Sequence, residues 1–217
     1  MAELPRTPRT TLRRRSTRGS YDRDLIHAIL DEALVCHVGF AVDGQPYVLP
    51  ATYARRGDRL LIHGSNASRM LRALAGGVPV CVTVTLLDGL VLARSAFHHS
   101  MNYRSVVILG TAVSVADRAA KRDALQAIVE HVVPGRSRDA RPPSDAEVDG
   151  TLVLELPVRE ASAKVRTGPP VDDAEDMAVG CWAGVIPLQL VAGAPVSDPQ
   201  LPPGCPVPEA VARYRRK

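Results

Sequence analysis

The stretch VLPATYARRGDRLLIHGSNASR, Val48 to Arg69, is the segment that decides the fold of this chain. It predicts a strand over Tyr47 to Ala54, a turn at Gly57-Asp58 and a second strand over Leu60 to His63. The small polar residues 64–69 then lead into a helix. We therefore expect a β-hairpin that delivers a polar cluster to the start of a helix.

This polar cluster contains Ser65, Ser68 and Arg69. Small residues let a ligand approach the backbone closely. A helix N-terminus offers unpaired N–H groups, and Arg69 adds a fixed positive charge. The cluster is thus typical of a phosphate-binding site. The alternative is an ordinary helix that is capped by Ser68.

The composition indicates one globular domain with two appendages. Of 217 residues, 46% are hydrophobic and 23% are charged, which is sufficient for an aliphatic core. Residues 1–20 are rich in Arg, Thr, Ser and Pro without periodicity, so we predict a disordered basic tail. The globular domain is expected over residues 21–190, and residues 191–217 are predicted to form a Pro-rich C-terminal extension.

The formal net charge of +4 is concentrated at the two ends of the chain. Basic tails can bind nucleic acid through its phosphates. Neither tail is accompanied by an aromatic stacking platform for bases or by a helix suited to a DNA groove. The sequence therefore does not favour nucleic acid as a partner.

Cysteine spacing and hydropathy exclude several further classes. The four cysteines show no CxxC spacing, which argues against a metal site and against thioredoxin-like chemistry. The Arg-rich start lacks the apolar core of a signal peptide, and no apolar run reaches the roughly 20 residues of a membrane span. We expect a cytoplasmic protein with reduced thiols and no membrane association.

The periodicity of the chain predicts six or seven strands and three helices. Helices are expected over Tyr21 to Leu34, Ser68 to Leu74 and Ala119 to Val132, and further strands over Val35 to Val42, Val80 to Leu87, Tyr103 to Val115, Leu152 to Pro157 and Cys181 to Gln189. Ala161 to Pro170 is predicted to be irregular. The Asp43-Gly44 hairpin signal favours an antiparallel sheet, and a Gly bend at Gly110 favours closure into a barrel.

Three segments in this order resemble the FMN-binding split-barrel proteins of the pyridoxamine 5′-phosphate oxidase-like family. They are HVGFAVDGQPYVLPATYARRGDRLLIHGSNASRMLRAL (37–74), VPVCVTVTLLDG (78–89) and SMNYRSVVILGTA (100–112). The pattern is closest to the nitroimidazole-resistance and flavin-nucleotide-binding branch. The resemblance covers residues 22–190. It implies a mainly β (α+β) fold, a six-stranded antiparallel split β-barrel with flanking helices, and a homodimer with two flavins at its interface.

The resemblance also implies which residues contact FMN. The phosphate is expected on Ser65, Ser68 and Arg69. The remaining contacts are expected from Leu49, Pro50, Ala51 and Thr52, whose backbone faces the isoalloxazine ring, from Thr83 and Thr85, and from Tyr103, Arg104 and Ser105. Lys164 and Arg166 do not match the basic pattern with which pyridoxal-phosphate-forming members hold the substrate phosphate, so conversion of pyridoxamine phosphate is not expected.

Two charged or titratable side chains have competing interpretations. His63 matches a histidine near the cofactor pocket of the nitroimidazole-resistance proteins, where it would donate a proton, but it could equally be a structural histidine of the barrel wall. Arg104 lies in an apolar strand, where its charge needs an anion. That anion is either the cofactor or a carboxylate across the dimer interface.

Three further positions remain open. Lys164, with Arg166, either closes a basic loop over an anion or forms a solvated turn. Trp182 either stacks on the flavin of the partner subunit or fills the core. His98 and His99 would point in opposite directions on a strand, which argues against a metal pair, although one of them is enough as an axial ligand of haem.

The sequence thus predicts an FMN-dependent oxidoreductase that reduces a small electrophile, such as a nitro compound or a quinone, with electrons from a reduced nicotinamide. The alternative is a non-catalytic flavin- or haem-binding protein. A third hypothesis is a structural dimer that its basic tails tether to nucleic acid.

Overall fold

The computed structural model describes residues 3–215. The strands are β1 (Gly19–Ser20), β2 (Val35–Val42), β3 (Gln45–Arg56), β4 (Arg59–Ser65), β5 (Pro79–Leu92), β6 (Ser100–Thr111), β7 (Val113–Ser114), β8 (Thr151–Pro157), β9 (Glu160–Arg166) and β10 (Gly184–Pro187). The α-helices are α1 (Arg23–Glu32), α2 (Arg69–Ala75), α3 (Arg118–Val132), α4 (Asp145–Asp149) and α5 (Glu209–Ala212). In residues 3–215, no helix has both the length and the hydropathy that crossing a lipid bilayer requires.

The strands form an antiparallel sheet in the order β1-β9-β6-β5-β2-β3-β4-β8-β7, and β10 pairs with the last part of β5. β3 belongs to both halves of this sheet, because its residues up to Thr52 pair with β2 and those from Tyr53 pair with β4. This arrangement confirms the predicted class, a split barrel with flanking helices. The described chain has ten strands where six or seven were predicted, because β1 and β9 were not expected and the strand predicted over Tyr103 to Val115 is divided into β6 and β7.

The barrel interior is filled by side chains from alternate strand positions. Val38, Val82 and Ile108 are buried in β2, β5 and β6. The helix α1 closes this core, and the Tyr53 hydroxyl donates a hydrogen bond to the Leu30 carbonyl at 2.6 Å, which ties β3 to α1. Because side chains alternate along a strand, the intervening residues of β2, β5 and β6 point outward.

The helix α3 covers the outside of the other half of the barrel. Its Ala124 and Ile128 pack with Ala54, Leu61 and Val153 of β3, β4 and β8 in a second apolar cluster. The outward side of β2, β5 and β6 keeps exposed residues. This half of the surface is therefore the one available to a ligand or a partner chain.

The strand β9 replaces the irregular segment that the sequence predicted over Ala161 to Pro170. β9 pairs with β6 and with β1. Its small residues Ala161, Ser162 and Ala163 are all buried. Small residues have little strand propensity of their own, so the local pattern did not indicate the strand that the two neighbours impose.

The N-terminal segment, predicted to be a disordered tail, contacts the barrel through a few of its residues. Leu4 is buried, and its N–H donates to the Tyr21 carbonyl at 2.8 Å. The Tyr21 hydroxyl donates to the Thr10 carbonyl at 2.9 Å, and Arg9 pairs with Glu160. These are contacts to distant residues, which the local composition does not reveal. Residues 1 and 2 lie outside the described residues, and the other domain boundaries stay predictions.

Candidate functional site

The β3–β4 hairpin brings the predicted phosphate-binding residues to one exposed corner. Ser65 ends β4, Ser68 caps α2, and Arg69 is the first residue of α2. The Ser68 hydroxyl oxygen accepts a hydrogen bond from the Leu71 N–H at 3.4 Å, and the Ser65 hydroxyl oxygen accepts one from the Ala67 N–H at 3.1 Å. Because both hydroxyls act as acceptors here, their hydrogens can still be donated to an anion.

The loop between β4 and α2 is held in place by its neighbours. The Asn66 backbone N–H donates to the Gly150 carbonyl at 3.1 Å, and the Asn66 side chain donates to the Asp149 carbonyl at 2.6 Å. Arg72 Nε donates to the Asn66 carbonyl at 2.6 Å. These bonds fix the corner without any contribution from a ligand, which is the preorganisation that a binding site needs.

Arg69 supplies the positive charge of this corner. Its guanidinium carbon lies 4.4 Å from the centroid of the Tyr47 ring, a cation–π contact that orients it. Arg69 is itself exposed. Within residues 3–215 it forms no ion pair with a carboxylate. An anionic ligand can therefore reach a cation that no acidic side chain already neutralises.

We call the outward surface of β3, β2, β5, β6 and β9 the outer face, and its rows follow from the strand register. The pairs across the strands are Thr52 with Val35; Pro50 with His37 and Thr83; Thr85 with Ser105 and Lys164; and Leu87 with Tyr103 and Arg166. Most of the predicted flavin residues thus share one surface. The side chains of Leu49 and Ala51 point to the other side of β3, because side chains alternate along a strand. The predicted contact of these two residues with the ring is made by the backbone, so it does not require their side chains on the outer face.

The structure gives Arg104 partners that the sequence did not predict. Its Nε and Nη2 donate to the Asp88 carboxylate at 3.0 and 2.8 Å, Nη2 also donates to Glu32 Oε1 at 2.8 Å, and Nη1 donates to Glu32 Oε2. The hydrogen bonds to Glu32 and Asp88 raise the pKa of Arg104. Two carboxylates of the same chain therefore satisfy the charge that we had assigned to a cofactor anion or to a carboxylate across the dimer interface. The contact of Arg104 with a cofactor stays a prediction.

His63 lies in β4 directly after the last β3–β4 pair, Tyr53 with Ile62. Its ring nitrogen Nδ1 is buried and has no hydrogen-bond partner within residues 3–215. Burial lowers the pKa of His63, so its ring is neutral at neutral pH. A neutral imidazole next to the phosphate corner is compatible with proton transfer, and this role stays a prediction.

Arg166, which ends β9 two residues after Lys164, is a buried cation with only neutral partners. It is 6% exposed. Its Nη1 donates to Asn102 Oδ1 and to the Gly168 carbonyl at 3.3 Å, and its Nη2 donates to the Pro169 carbonyl at 3.1 Å. Its Nε has no partner in the described chain, and burial lowers the pKa of the guanidinium. Arg166 thus holds the loop after β9 through two of its carbonyls, while Thr167, Gly168 and Pro169 are exposed. The binding of an anion by Lys164 and Arg166 stays a prediction.

The two adjacent histidines lie at the end of a short 3-10 turn and not on a strand. His98 Nε2 lies 3.1 Å from Asp173 Oδ2, and His99 Nδ1 lies 3.0 Å from the Ser95 carbonyl. The ligand atoms of His98, Asp173 and Asp176 lie within 4.8 Å of one another. Exposed side chains form such groups without an ion, so the prediction of no metal site is left as it stands.

Trp182 does not fill the core, since it is 66% exposed. Its ring packs against the backbone of Gly184, where an added Cβ would lie only 2.7 Å from the ring. Gly184 belongs to β10, which extends the sheet beyond β5. In β10, Ile186 pairs with Leu90 of β5, and Leu90 pairs in turn with Met101 of β6. Trp182 therefore lies over the same side of the sheet as the outer face. Its stacking on a flavin stays a prediction.

A large groove, which the sequence did not indicate, opens at one end of the outer face. Its volume is about 1560 Å³. One wall carries His37, Thr85 and Leu87, and the other is built by residues 187–195 and 211–215. Most of the second wall belongs to the Pro-rich extension, whose lack of periodicity gave no sign that it folds over the sheet.

The family model described as pyridoxamine 5′-phosphate oxidase matches residues 22–165. A search of the curated proteins finds no match. Among solved structures, the flavocytochrome Anf3 from Azotobacter vinelandii is 42% identical, with coverage of 100% of both chains and a TM-score of 0.93. The FAD and heme binding protein from Mycobacterium smegmatis is 41% identical, with coverage of 89% of this chain and 95% of the other and a TM-score of 0.86.

A third structure is designated a 5-nitroimidazole antibiotic resistance protein and comes from Bacteroides thetaiotaomicron. It is 28% identical, covers 68% of this chain and 86% of its own, and has a TM-score of 0.56. The family that we inferred from the segments at 37–74, 78–89 and 100–112 is thereby confirmed. The model match alone spans well over half of the sequence, and the chain belongs to the pyridoxamine 5′-phosphate oxidase family.

Proposed function

We propose that this protein binds a flavin nucleotide and haem, and that it acts as an oxidoreductase that reduces a small electrophile. The observation that carries this proposal is the similarity to the flavocytochrome Anf3 over the entire length of both chains. The M. smegmatis relative, which binds FAD and heme, supports the same pair of cofactors.

The flavin would bind with its phosphate at Ser65, Ser68 and Arg69. Two hydroxyls that can still donate and a cation without a carboxylate partner fit such an anion. The isoalloxazine ring would lie against the backbone of residues 49–52 on the outer face, beside Thr83, Thr85, Tyr103 and Ser105. FMN was our prediction, and FAD is the flavin of the M. smegmatis relative. This corner would hold the phosphate group that both contain.

When bound, a flavin supplies hydride and single-electron transfer, while the protein positions it and excludes competing reactions. We infer a reduced nicotinamide as the electron donor and a nitro compound or a quinone as the acceptor. The similarity to the resistance protein favours the nitro compound. The alternative, a non-catalytic flavin- or haem-binding protein, needs the same cofactor sites without a turnover reaction.

The absorption spectrum of the purified protein tests this function. We expect the two visible bands of oxidised flavin together with a Soret band, and bleaching of the flavin bands after anaerobic addition of reduced nicotinamide. Release of the cofactor followed by chromatography will identify FMN or FAD. A colourless protein that takes up neither flavin nor haemin would refute the proposal, whereas bound cofactors without turnover would favour the non-catalytic alternative.

We also propose that the outer face is covered by a second copy of the chain, because it exposes large apolar side chains. Val48 and Trp182 are each 66% exposed, Met101 is 51% exposed and Leu87 is 44% exposed. Monomeric proteins seldom leave such a surface in water. Val48→Asp should therefore turn a dimer of 23.3 kDa chains into monomers during sedimentation at low micromolar concentration.

The matched control for this experiment is Val113→Asp. Val113 is 62% exposed on β7, in the other half of the barrel, so the same substitution should leave the dimer intact. A wild-type chain that sediments as a monomer would contradict the homodimer. Equal dissociation by both variants would mean that the dimer does not use the outer face.

A further inference from the structure

We propose that Arg18, Lys164 and Arg166 form a second anion site, separate from the corner at Arg69, and that it binds the phosphate of the reduced nicotinamide donor. We call this group of three cations the β9 anion site. Lys164 and Arg166 belong to β9, and Arg18 directly precedes β1, whose Gly19 pairs with Lys164. The assignment to the donor rests on the proposed function, whereas the site itself rests on contacts within this chain.

Arg166 carries a buried positive charge that the chain does not balance. The side chain is 6% exposed, and it donates to the Asn102 side chain and to the carbonyls of Gly168 and Pro169. These acceptors are neutral, and within residues 3–215 no carboxylate pairs with Arg166. Because a buried charge is costly without a counter-charge, an anion from outside the chain would stabilise this guanidinium.

Two adjacent donors of Arg166 are available to that anion. A guanidinium has five N–H groups, and the three hydrogen bonds of Arg166 use two on Nη1 and one on Nη2. Its buried Nε has no partner in the part of the chain that the structure describes. Nε and Nη2 lie on the same edge of a guanidinium, where they match two oxygens of a phosphate. In Arg104 the same two nitrogens bind the Asp88 carboxylate, so the chain supplies this counter-charge to one arginine and not to the other.

Arg18 and Lys164 add positive charge at the same place. Burial lowers the pKa of Arg166 most, and the charge of Arg18 lowers this pKa further, so the two guanidiniums are close enough to repel each other. Lys164 precedes Arg166 by two residues in β9, so both side chains leave the same face of the strand. Among residues 3–215, no carboxylate pairs with Arg18 or with Lys164. A phosphate can accept hydrogen bonds from all three cations and would remove their repulsion.

The β9 anion site lies across the sheet from the corner at Arg69. Lys164 pairs with Ser105 and Arg166 pairs with Tyr103, and both of these β6 residues are proposed to lie beside the isoalloxazine ring. Because β6, β5 and β2 separate β9 from β3, the distance along the sheet is about 19 Å at roughly 4.8 Å per strand. The proposed ring lies between the two sites, so the flavin phosphate does not fill both. The pyrophosphate of the donor is one ribose away from the nicotinamide that must contact this ring, which fits the β9 anion site.

The test is isothermal titration calorimetry of the full-length, flavin-loaded protein with two probes, inorganic phosphate and oxidised nicotinamide adenine dinucleotide. The oxidised dinucleotide carries the donor's phosphates but does not reduce the flavin. We expect both probes to bind and to compete with each other. Arg166→Gln and Arg18→Gln should each weaken both affinities at least about 10-fold, because each substitution removes a charge-assisted hydrogen bond. Arg18→Gln keeps the test valid if Arg166→Gln does not fold, since the Arg18 side chain forms no hydrogen bond within residues 3–215.

The matched control is Arg14→Gln. Arg14 is an exposed arginine of the same N-terminal segment, and no carboxylate of the described chain pairs with it, so both affinities should stay unchanged. Binding of neither probe by the wild type, or an equal loss in Arg14→Gln and Arg18→Gln, would overturn the β9 anion site. Binding of inorganic phosphate without the dinucleotide would overturn the donor as its ligand.

Flavin binding separates this proposal from the proposed function. The flavin affinity of Arg18→Gln, measured by fluorescence quenching on the apoprotein, should equal that of the wild type. A weaker flavin affinity in Arg18→Gln would overturn the assignment to the donor and give the three cations to a flavin phosphate. A wild type that takes up no flavin would refute the proposed function, and the titration with inorganic phosphate would still decide whether Arg18 and Arg166 bind an anion.

Discussion

Arg69→Ala should weaken the binding of FMN or FAD by about 10- to 150-fold. The substitution removes a charge-assisted hydrogen bond to the phosphate, which is worth about 1.5–3 kcal/mol. Arg69 has no carboxylate partner in residues 3–215, so its removal leaves no unpaired acidic group behind. The dissociation constant can be measured from flavin fluorescence quenching on the apoprotein, and the thermal unfolding midpoint should be almost unchanged.

Riboflavin provides the sharpest control for this experiment, since it lacks the phosphate. Its affinity should be the same for the wild type and for Arg69→Ala. Arg56→Ala is the matched protein control, because Arg56 is an exposed cation at the end of β3 whose nearest carboxylate, Asp123, is 3.8 Å away. Equal FMN affinities for the wild type and Arg69→Ala would remove this corner as the phosphate site.

The hairpin that carries this corner could be predicted because its signals are local. The Asp43-Gly44 turn needs two positive φ values, and these residue types adopt them readily. The helix signal at Ser68 is equally local, since the side chain caps the backbone three residues ahead. The order of such segments was sufficient to identify the family, whose conserved geometry then assigned most of the outer face.

The parts that were missed depend on contacts between distant residues. β9 is a strand because β1 and β6 flank it, and Leu4 is buried because it packs in the main hydrophobic core, where its N–H bonds to the Tyr21 carbonyl. Neither the strand β9 nor the burial of Leu4 can be predicted from the local sequence pattern. The groove is the clearest case in the site, since it joins His37 to a segment that begins 150 residues further along the chain.

Arg104 shows how a correct premise did not reveal the counter-charge that the fold itself supplies. An arginine in an apolar strand does need an anion, and the sequence contains no sign that β5 has a register shift between Leu87 and Gly89. This shift falls at Asp88, whose carboxylate pairs with Arg104 together with that of Glu32. The anion is therefore provided by the fold itself, and this has a consequence that can be measured.

Arg104→Met should destabilise the fold by about 1–3 kcal/mol, without the loss of flavin affinity expected of Arg69→Ala. Glu32 and Asp88 are only 24% and 30% exposed, so the substitution leaves two partly desolvated carboxylates without their common partner. For a chain of this size each kcal/mol lowers the unfolding midpoint by about 2–4 °C, which calorimetry on the flavin-free protein can resolve.

The control is Arg59→Met, which breaks a more exposed pair with Glu155 and should cost at most about 1 kcal/mol. Adding Glu32→Gln and Asp88→Asn to Arg104→Met should recover part of the lost stability, because the two negative charges then no longer need a counter-charge. An Arg104→Met protein with the stability of the wild type and a weakened affinity for FMN would reverse this interpretation. It would mean that the two carboxylates release Arg104 when the flavin binds, and that the assignment made from the sequence was right.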